Sequence, residues 1–145
     1  MGEEKRFYVL IADDKTWNIA LKKKVFGFSD KCKGLWNTIQ LDEFVAFYAT
    51  SPIKKIIGFG KITDKFVDTS LIFPDELFFK KPIWTYRIHV EPIAIQKEWK
   101  NGISVPSNII LNVARKVIHR NQFFSFVDEA DSNWNLNIHK KIEII

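Results

Sequence analysis

Cysteine is nearly absent: Cys32 stands alone in a chain of 145 residues. One thiol closes no internal disulfide, so packing must hold the fold, and a reduced, cytoplasmic setting is expected. Glycine is scarce, with six residues. Gly58-Phe59-Gly60-Lys61 lies inside a strand pattern, without the third glycine and following helix of a dinucleotide loop or the spacing of a P-loop. No apolar run approaches the roughly twenty residues of a membrane span. The charged start, MGEEKR, is followed by an apolar run too short for a signal peptide. His89, His119 and His139 are isolated from one another, so no zinc site is expected, and no serine occupies a nucleophile elbow. No cofactor is implied.

What is present is rings and lysine. Hydrophobic residues make up 46% of the chain and aromatics 14%, enough to build a core and to exclude disorder. The formal net charge is +5, a balance that favours anionic partners but also describes an ordinary solvated lysine surface. Both features meet in Lys22 to Thr38, KKKVFGFSDKCKGLWNT. There Lys22, Lys23, Lys24, Lys31 and Lys33 alternate with Phe26, Phe28 and Trp36.

Residues 1–145 read as one domain with no repeat and no linker. Phe7 to Ala12 reads as a buried strand, and Asp13 to Thr16 offer caps for a helix from near Trp17. Glu43 to Ala49 and Lys55 to Ile62 read as strands. In the second, Gly58 and Gly60 share a face, where something approaches the backbone or the strand bends. Residues 64 to 82 read as an irregular excursion holding Phe66, Phe73, Phe78 and Phe79, of a length that usually carries function. Trp84 to Val90 alternates with the period of a half-buried strand. Pro106 opens a segment with Ile110, Val113, Ala114 and Val117 on one helical face. A last helix from about Ser132 gathers Trp134, Ile138, Ile142 and Ile145. Strands that do not alternate regularly with helices indicate α+β.

One enzymatic pattern is present. Pro74-Asp75 followed by Glu98-Trp99-Lys100 matches the short "PD then ExK" pattern of metal-dependent nucleases. The pattern arises easily by chance, and a non-enzyme is the expectation. Stacking rings beside phosphate-seeking lysines suit nucleic acid better. Phe26, Phe28, Trp84 and Tyr86 can wall a base pocket, and each has the alternative reading of a plain core ring.

In order and spacing, the opening strand, Trp17 in a short helix, the VFGF turn, the basic run to Lys33, DEFVAFY, GFGKIT and YRIHVEPI resemble the EVE family over most of residues 6 to 95. That resemblance implies a PUA-like fold, a twisted β-pseudobarrel of about five to six strands with surrounding helices, akin to the YTH readers of methylated adenine. It implies a non-catalytic nucleic-acid reader with an aromatic pocket for a modified or flipped base. Phe26 stands where these families usually place a tryptophan, and Phe73 or Trp84 would form another wall. Asp13 would touch the base. His119-Arg120-Asn121-Gln122 would face the nucleic acid, Asn121 toward the base and Arg120 toward phosphate. The chain departs from the family in the smaller ring of Phe26, in Gly34 where a polar residue is common, and in Gln122-Phe123-Phe124-Ser125, a loose echo of an aromatic-glycine segment. A PUA-like domain that reads structured RNA by shape is the alternative, and an interaction module with an apolar patch over the glycine face is a further one.

Overall fold

The structure, a computed structural model, describes residues 6–50, 52–106, 115–118 and 120–144. Six strands form one sheet: β1 (Phe7–Ala12), β2 (Val25–Phe28), β3 (Phe44–Ala49), β4 (Lys55–Val67), β5 (Tyr86–Ile95) and β6 (Arg115–Ile118). Their order is β2-β5-β4-β3-β1-β6. β1 and β3 run parallel, and the other neighbours are antiparallel. The helices are α1 (Asp14–Lys23), α2 (Lys33–Thr38), α3 (Pro74–Phe79), α4 (Arg120–Trp134) and α5 (Ile138–Ile144). This is the expected α+β, PUA-like arrangement.

The sheet is buried on both sides, which is why β1 is apolar at every position. Phe7, Val9 and Ile11 point into a core completed by Phe123, Phe126, Val127 and Ala130 of α4 and Ile138 and Ile142 of α5. Tyr8 and Leu10 point the other way, into a core with Trp17 and Ala20 of α1, Phe26 and Phe28 of β2, Phe47 and Phe73. The Oδ1 of Asp13 accepts the N–H of Thr16 at 2.8 Å and caps α1, which begins at Asp14 rather than near Trp17, so Asp14 to Thr16 form its first turn.

Gly58 and Gly60 make room for Phe47. A Cβ at Gly60 would stand 2.7 Å from Phe47 Cζ, and one at Gly58 would stand 3.0 Å from Phe47 Cδ2. The Ala94 carbonyl oxygen would stand closer still to a Cβ at Gly58, at 2.7 Å, so the glycine face is filled by a core ring and by the β5 backbone. Irregular pairing between β4 and β5, at Phe59/Gly60 and Ile62/Asp64, supplies the bend.

Several elements differ from expectation. VFGF is an edge strand rather than a turn, paired with β5 from Val25↔His89 to Phe28↔Tyr86. β4 continues to Val67, and the excursion beyond it contains α3. The helix expected from Pro106 falls mostly on 107–114, outside the described residues, but 115–118 is a strand against β1, so Val117 belongs to no helix. α4 begins at Arg120 instead of Ser132 and stops at Trp134, where Asn135 takes a left-handed φ of 56°. Ile145 and His119 lie outside the described residues.

Candidate functional site

A cleft of about 240 Å³ opens between the start of α1, β2 and the segment that joins β4 to β5. Ile11, Ala12, Asp13, Thr16, Phe26, Gly27, Phe73, Asp75 and Trp84 line it. Four residues singled out in the sequence, Asp13, Phe26, Phe73 and Trp84, therefore meet at one cavity.

The wall formed by residues 68–84 is held from beneath by an ion pair that the sequence does not announce. Glu76 and Arg87 are 0% and 1% exposed. Arg87 Nη2 lies 3.2 Å from Glu76 Oε1. Nη1 meets Asp68 at 3.3 Å, and Nε donates to the carbonyl of Trp84 at 2.9 Å. The guanidinium also donates to the hydroxyl and carbonyl of Ser70 and sits over the Phe73 ring, 5.5 Å from its centroid. Glu76 accepts the backbone N–H groups of Ile72, Phe73, Ile83 and Trp84. Burial pushes the Glu76 carboxyl up, but these four amides outweigh it and hold the group below the usual carboxylate value. Both ring-bearing residues of the wall, Phe73 and Trp84, are thus tied to one buried carboxylate.

The Trp84 indole N–H donates to both oxygens of Asp75, at 2.8 and 2.7 Å, fixing the ring against α3. Gly27 lets that ring close in, for a Cβ there would lie 2.6 Å from Trp84 Cβ and 3.0 Å from Phe73 Cε2. The cleft combines apolar ring walls with two carboxylates, Asp13 and Asp75. Ionised carboxylates are acceptors only, so its polar edge invites hydrogen-bond donors.

The remaining expected site residues lie elsewhere. Phe28 is fully buried beside Phe26, ring centroids 5.3 Å apart, and belongs to the core. Phe26 itself is 3% exposed and packs against Trp17, ring planes tilted by 36°, so it backs the cleft and packs the core at once. Tyr86 packs on Trp36. Tyr86 pairs with Phe28 rather than Phe26 in the β2–β5 register and is not among the residues that line the cleft.

Asn121 is exposed on α4, and the neighbouring Arg120 guanidinium covers the Phe124 ring at 4.6 Å. α4 packs on the opposite sheet face from α1 and Phe26, so neither residue joins the cleft. Lys22, Lys23 and Lys24 cluster at the far end of α1 from Asp13, roughly 15 Å along a ten-residue helix. Lys24 pairs with Glu91 at 3.5 Å. Lys31 and Lys33 are exposed just after β2, Lys33 with its Nζ 5.5 Å from the Tyr86 ring centroid.

The nuclease pattern is not assembled. Asp75 is engaged by Trp84 just before β5 begins, whereas Glu98 follows the far end of that ten-residue strand. Among the described residues no three His, Cys, Asp or Glu side chains are placed to hold a metal ion, and no helix is long and apolar enough to cross a membrane.

Sequence reasoning missed Asp75 as a pocket residue, along with Glu76 and Arg87. Pro74 at the first helical position with Glu76 two residues on is a helix-start signal inside the excursion. Arg87 had no such signal, because alternation placed it on the polar face of β5.

No protein-family model matches the chain, and no curated protein matches it. Solved structures do. ASCH from Zymomonas mobilis is 11% identical with a TM-score of 0.55, covering 86% of this chain and 96% of that one. The YTH domain of the Zygosaccharomyces rouxii MRB1 protein, solved in complex with N6-methyladenosine RNA, is 9% identical with a TM-score of 0.56, covering 88% and 87%. A hypothetical protein from Leishmania major is 8% identical with a TM-score of 0.55, covering 90% and 98%. The shared feature is the fold, and this chain has the PUA-like architecture of ASCH and YTH domains.

Proposed function

We propose that this protein is a non-catalytic nucleic-acid-binding domain that captures a single base, modified or flipped, in the cleft between Asp13, Phe73 and Trp84. One observation carries the reading: Trp84 is clamped by Asp75 beside Phe26 and Phe73 around a cavity of about 240 Å³. That is below the roughly 300–1,000 Å³ of pockets for drug-sized ligands, and suits one flat ring system laid against the Trp84 ring, with the buried Phe26 and Phe73 backing the cleft. The carboxylates of Asp13 and Asp75 favour a base edge that presents hydrogen-bond donors, such as the amino group of adenine, cytosine or guanine. The fold shared with a YTH domain solved with N6-methyladenosine RNA supports the same class of ligand. Membership of the EVE family, carried by the order of motifs from residue 6 to 95, is part of this proposal. Lys31 and Lys33 supply phosphate contacts, which position the strand while the pocket selects the base.

The test is a tryptophan-fluorescence titration with short RNA and DNA, with and without N6-methyladenosine or 5-methylcytosine, at two salt concentrations. Tighter binding of one modified oligonucleotide, lost in Trp84→Ala, supports the pocket. Phe26→Ala is the poorer probe, since removing a buried phenylalanine costs about 3–5 kcal/mol of stability. Salt-sensitive binding indifferent to modification and to Trp84 would leave only the basic surface and recognition by shape. No binding at all would end the nucleic-acid reading.

A further inference from the structure

The outward side of α3 is bare. Leu77, Phe78 and Phe79 are 53%, 79% and 60% exposed, and the two phenylalanine rings meet edge to face with centroids 5.0 Å apart. Single exposed apolar residues are ordinary, but three in a row ending in paired rings form a patch that marks a contact surface. Charge then narrows the choice of partner. The acids of the helix are committed, Asp75 to the Trp84 indole and Glu76 to the buried Arg87 network. Lys80 and Lys81, both exposed, follow at once. The surface that α3 offers is therefore apolar and cationic.

Its position narrows the choice further. Asp75 lines the cleft, and Phe78 and Phe79 stand three and four residues after it. That spacing makes helical side chains neighbours, with Cβ atoms about 5–6 Å apart. The exposed rings accordingly flank the cleft on its α3 side. A strand that inserts one base into the cleft must carry its next nucleotide over that rim.

We propose that Phe78 and Phe79 are a stacking platform for the nucleotide adjacent to the captured base, with Lys80 and Lys81 contacting its phosphate. This rests on the base-capture reading above. Base faces stack on exposed rings whatever their sequence, and the lysines match the backbone charge. A second copy of the chain or a protein segment would match the rings but leave the two lysines without a counter-charge. An anionic membrane would match both features, but nothing would then connect the patch with the cleft beside it.

The experiment compares wild type, Trp84→Ala and the double variant Phe78→Ala/Phe79→Ala. The probes are a heptanucleotide RNA with one central N6-methyladenosine, its DNA counterpart with 5-methylcytosine, and the free modified nucleosides. Both deleted rings are exposed, so the double variant keeps its fold, as its thermal melt will verify. The double variant should bind the preferred heptanucleotide about tenfold more weakly and the nucleoside as well as wild type does. Trp84→Ala should lose both. Unchanged heptanucleotide affinity in the double variant, with loss in Trp84→Ala, overturns the platform and leaves the pocket standing. If wild type binds none of the probes, both readings fall. A dimer in sedimentation that becomes monomeric in the double variant would reassign the patch to self-association. Binding to phosphatidylserine vesicles that the double variant loses, with oligonucleotide affinity unchanged, would reassign it to a membrane.

Discussion

The indole N–H of Trp84 reaches both carboxylate oxygens of Asp75, at 2.7 and 2.8 Å, across nine residues of chain. The bond joins the one half-buried ring of the cleft to the helix that carries the exposed rings. Asp75→Ala should free the indole at a cost of about 1–2 kcal/mol in urea unfolding, the range for a lost bond to a charged acceptor in a partly wet site. Asp75→Asn keeps one acceptor oxygen and should lose less. Trp84 near-ultraviolet dichroism should weaken in the first variant more than in the second, and ligand affinity should follow it. An unchanged spectrum in Asp75→Ala would show that packing alone holds the ring.

Two glycines provide a matched comparison. Gly27→Ala places a methyl 2.6 Å from Trp84 Cβ and 2.9 Å from the Trp84 carbonyl oxygen. The wall must shift, at a cost of roughly 1–3 kcal/mol, and binding in the cleft should fall. Gly34 lies in α2 with nothing within 4 Å of an added Cβ. Gly34→Ala should raise stability by up to about 1 kcal/mol through helix propensity and leave the cleft unchanged. Equal behaviour of the two in denaturation and binding would contradict this geometry.

Glu76 makes the protein sensitive to acid. Its carboxyl is held below the ordinary value of 4.5 by four backbone amides, which overcome the effect of burial. A group depressed in the folded state contributes its stability fully above its unfolded pKa and loses it as pH falls through the folded one. Stability should therefore decline below about pH 4.5, and Glu76→Gln should flatten that limb. At neutral pH the same variant leaves Arg87 with the half-exposed Asp68 as its counter-charge, so the loss should fall short of the roughly 3–5 kcal/mol of a stranded buried charge. Urea midpoints across pH 2 to 7 measure both effects.

Tyr8 has the opposite sign. Burial first, then the Glu43 carboxylate that accepts its hydroxyl at 2.9 Å, push the phenol up to about 12 from 10. A raised pKa contributes stability in full below pH 10, and that contribution drains away as pH rises toward 12. Tyr8→Phe should cost about 1 kcal/mol at neutral pH and reduce the alkaline loss. Absorbance at 295 nm should show Tyr8 ionising late in wild type, with Tyr48 also pushed up by burial, and loss of the latest step in Tyr8→Phe checks the assignment; a wild-type titration with every tyrosine near 10 would refute it.

How much of this was legible depended on whether a residue's surroundings are local. β1 could be read to its ends because six apolar residues between charged neighbours admit few alternatives, and Asp13 was recognisable because capping is decided within four residues. Phe26 and Phe28 could not be separated from sequence: they sit two apart on a short edge strand, and only the course of residues 68–84 puts the cleft beside one of them. Arg87 looked like a surface residue because alternation treats any charge as solvated, whereas here five carboxylate and carbonyl oxygens and a serine hydroxyl surround it. The strand at 115–118 was hidden because only two of its four residues are apolar and Val117 also falls at helical spacing from Val113 and Ala114. The early start of α4 was within reach: Phe123, Phe126, Val127 and Ala130 repeat at three, four and seven.

β1 serves two masters, sending Phe7, Val9 and Ile11 to one core and Tyr8 and Leu10 to the other. A slip of one residue would exchange the whole set, so its register is locked from both sides. The half that carries the cleft and the α4–α5 half should consequently share a single melting event, with Trp17 on one side and Trp134 on the other reporting the same midpoint. Evolution can retune the rim of the cleft through α3 with little constraint, but a change to the floor beneath it is felt across the entire sheet.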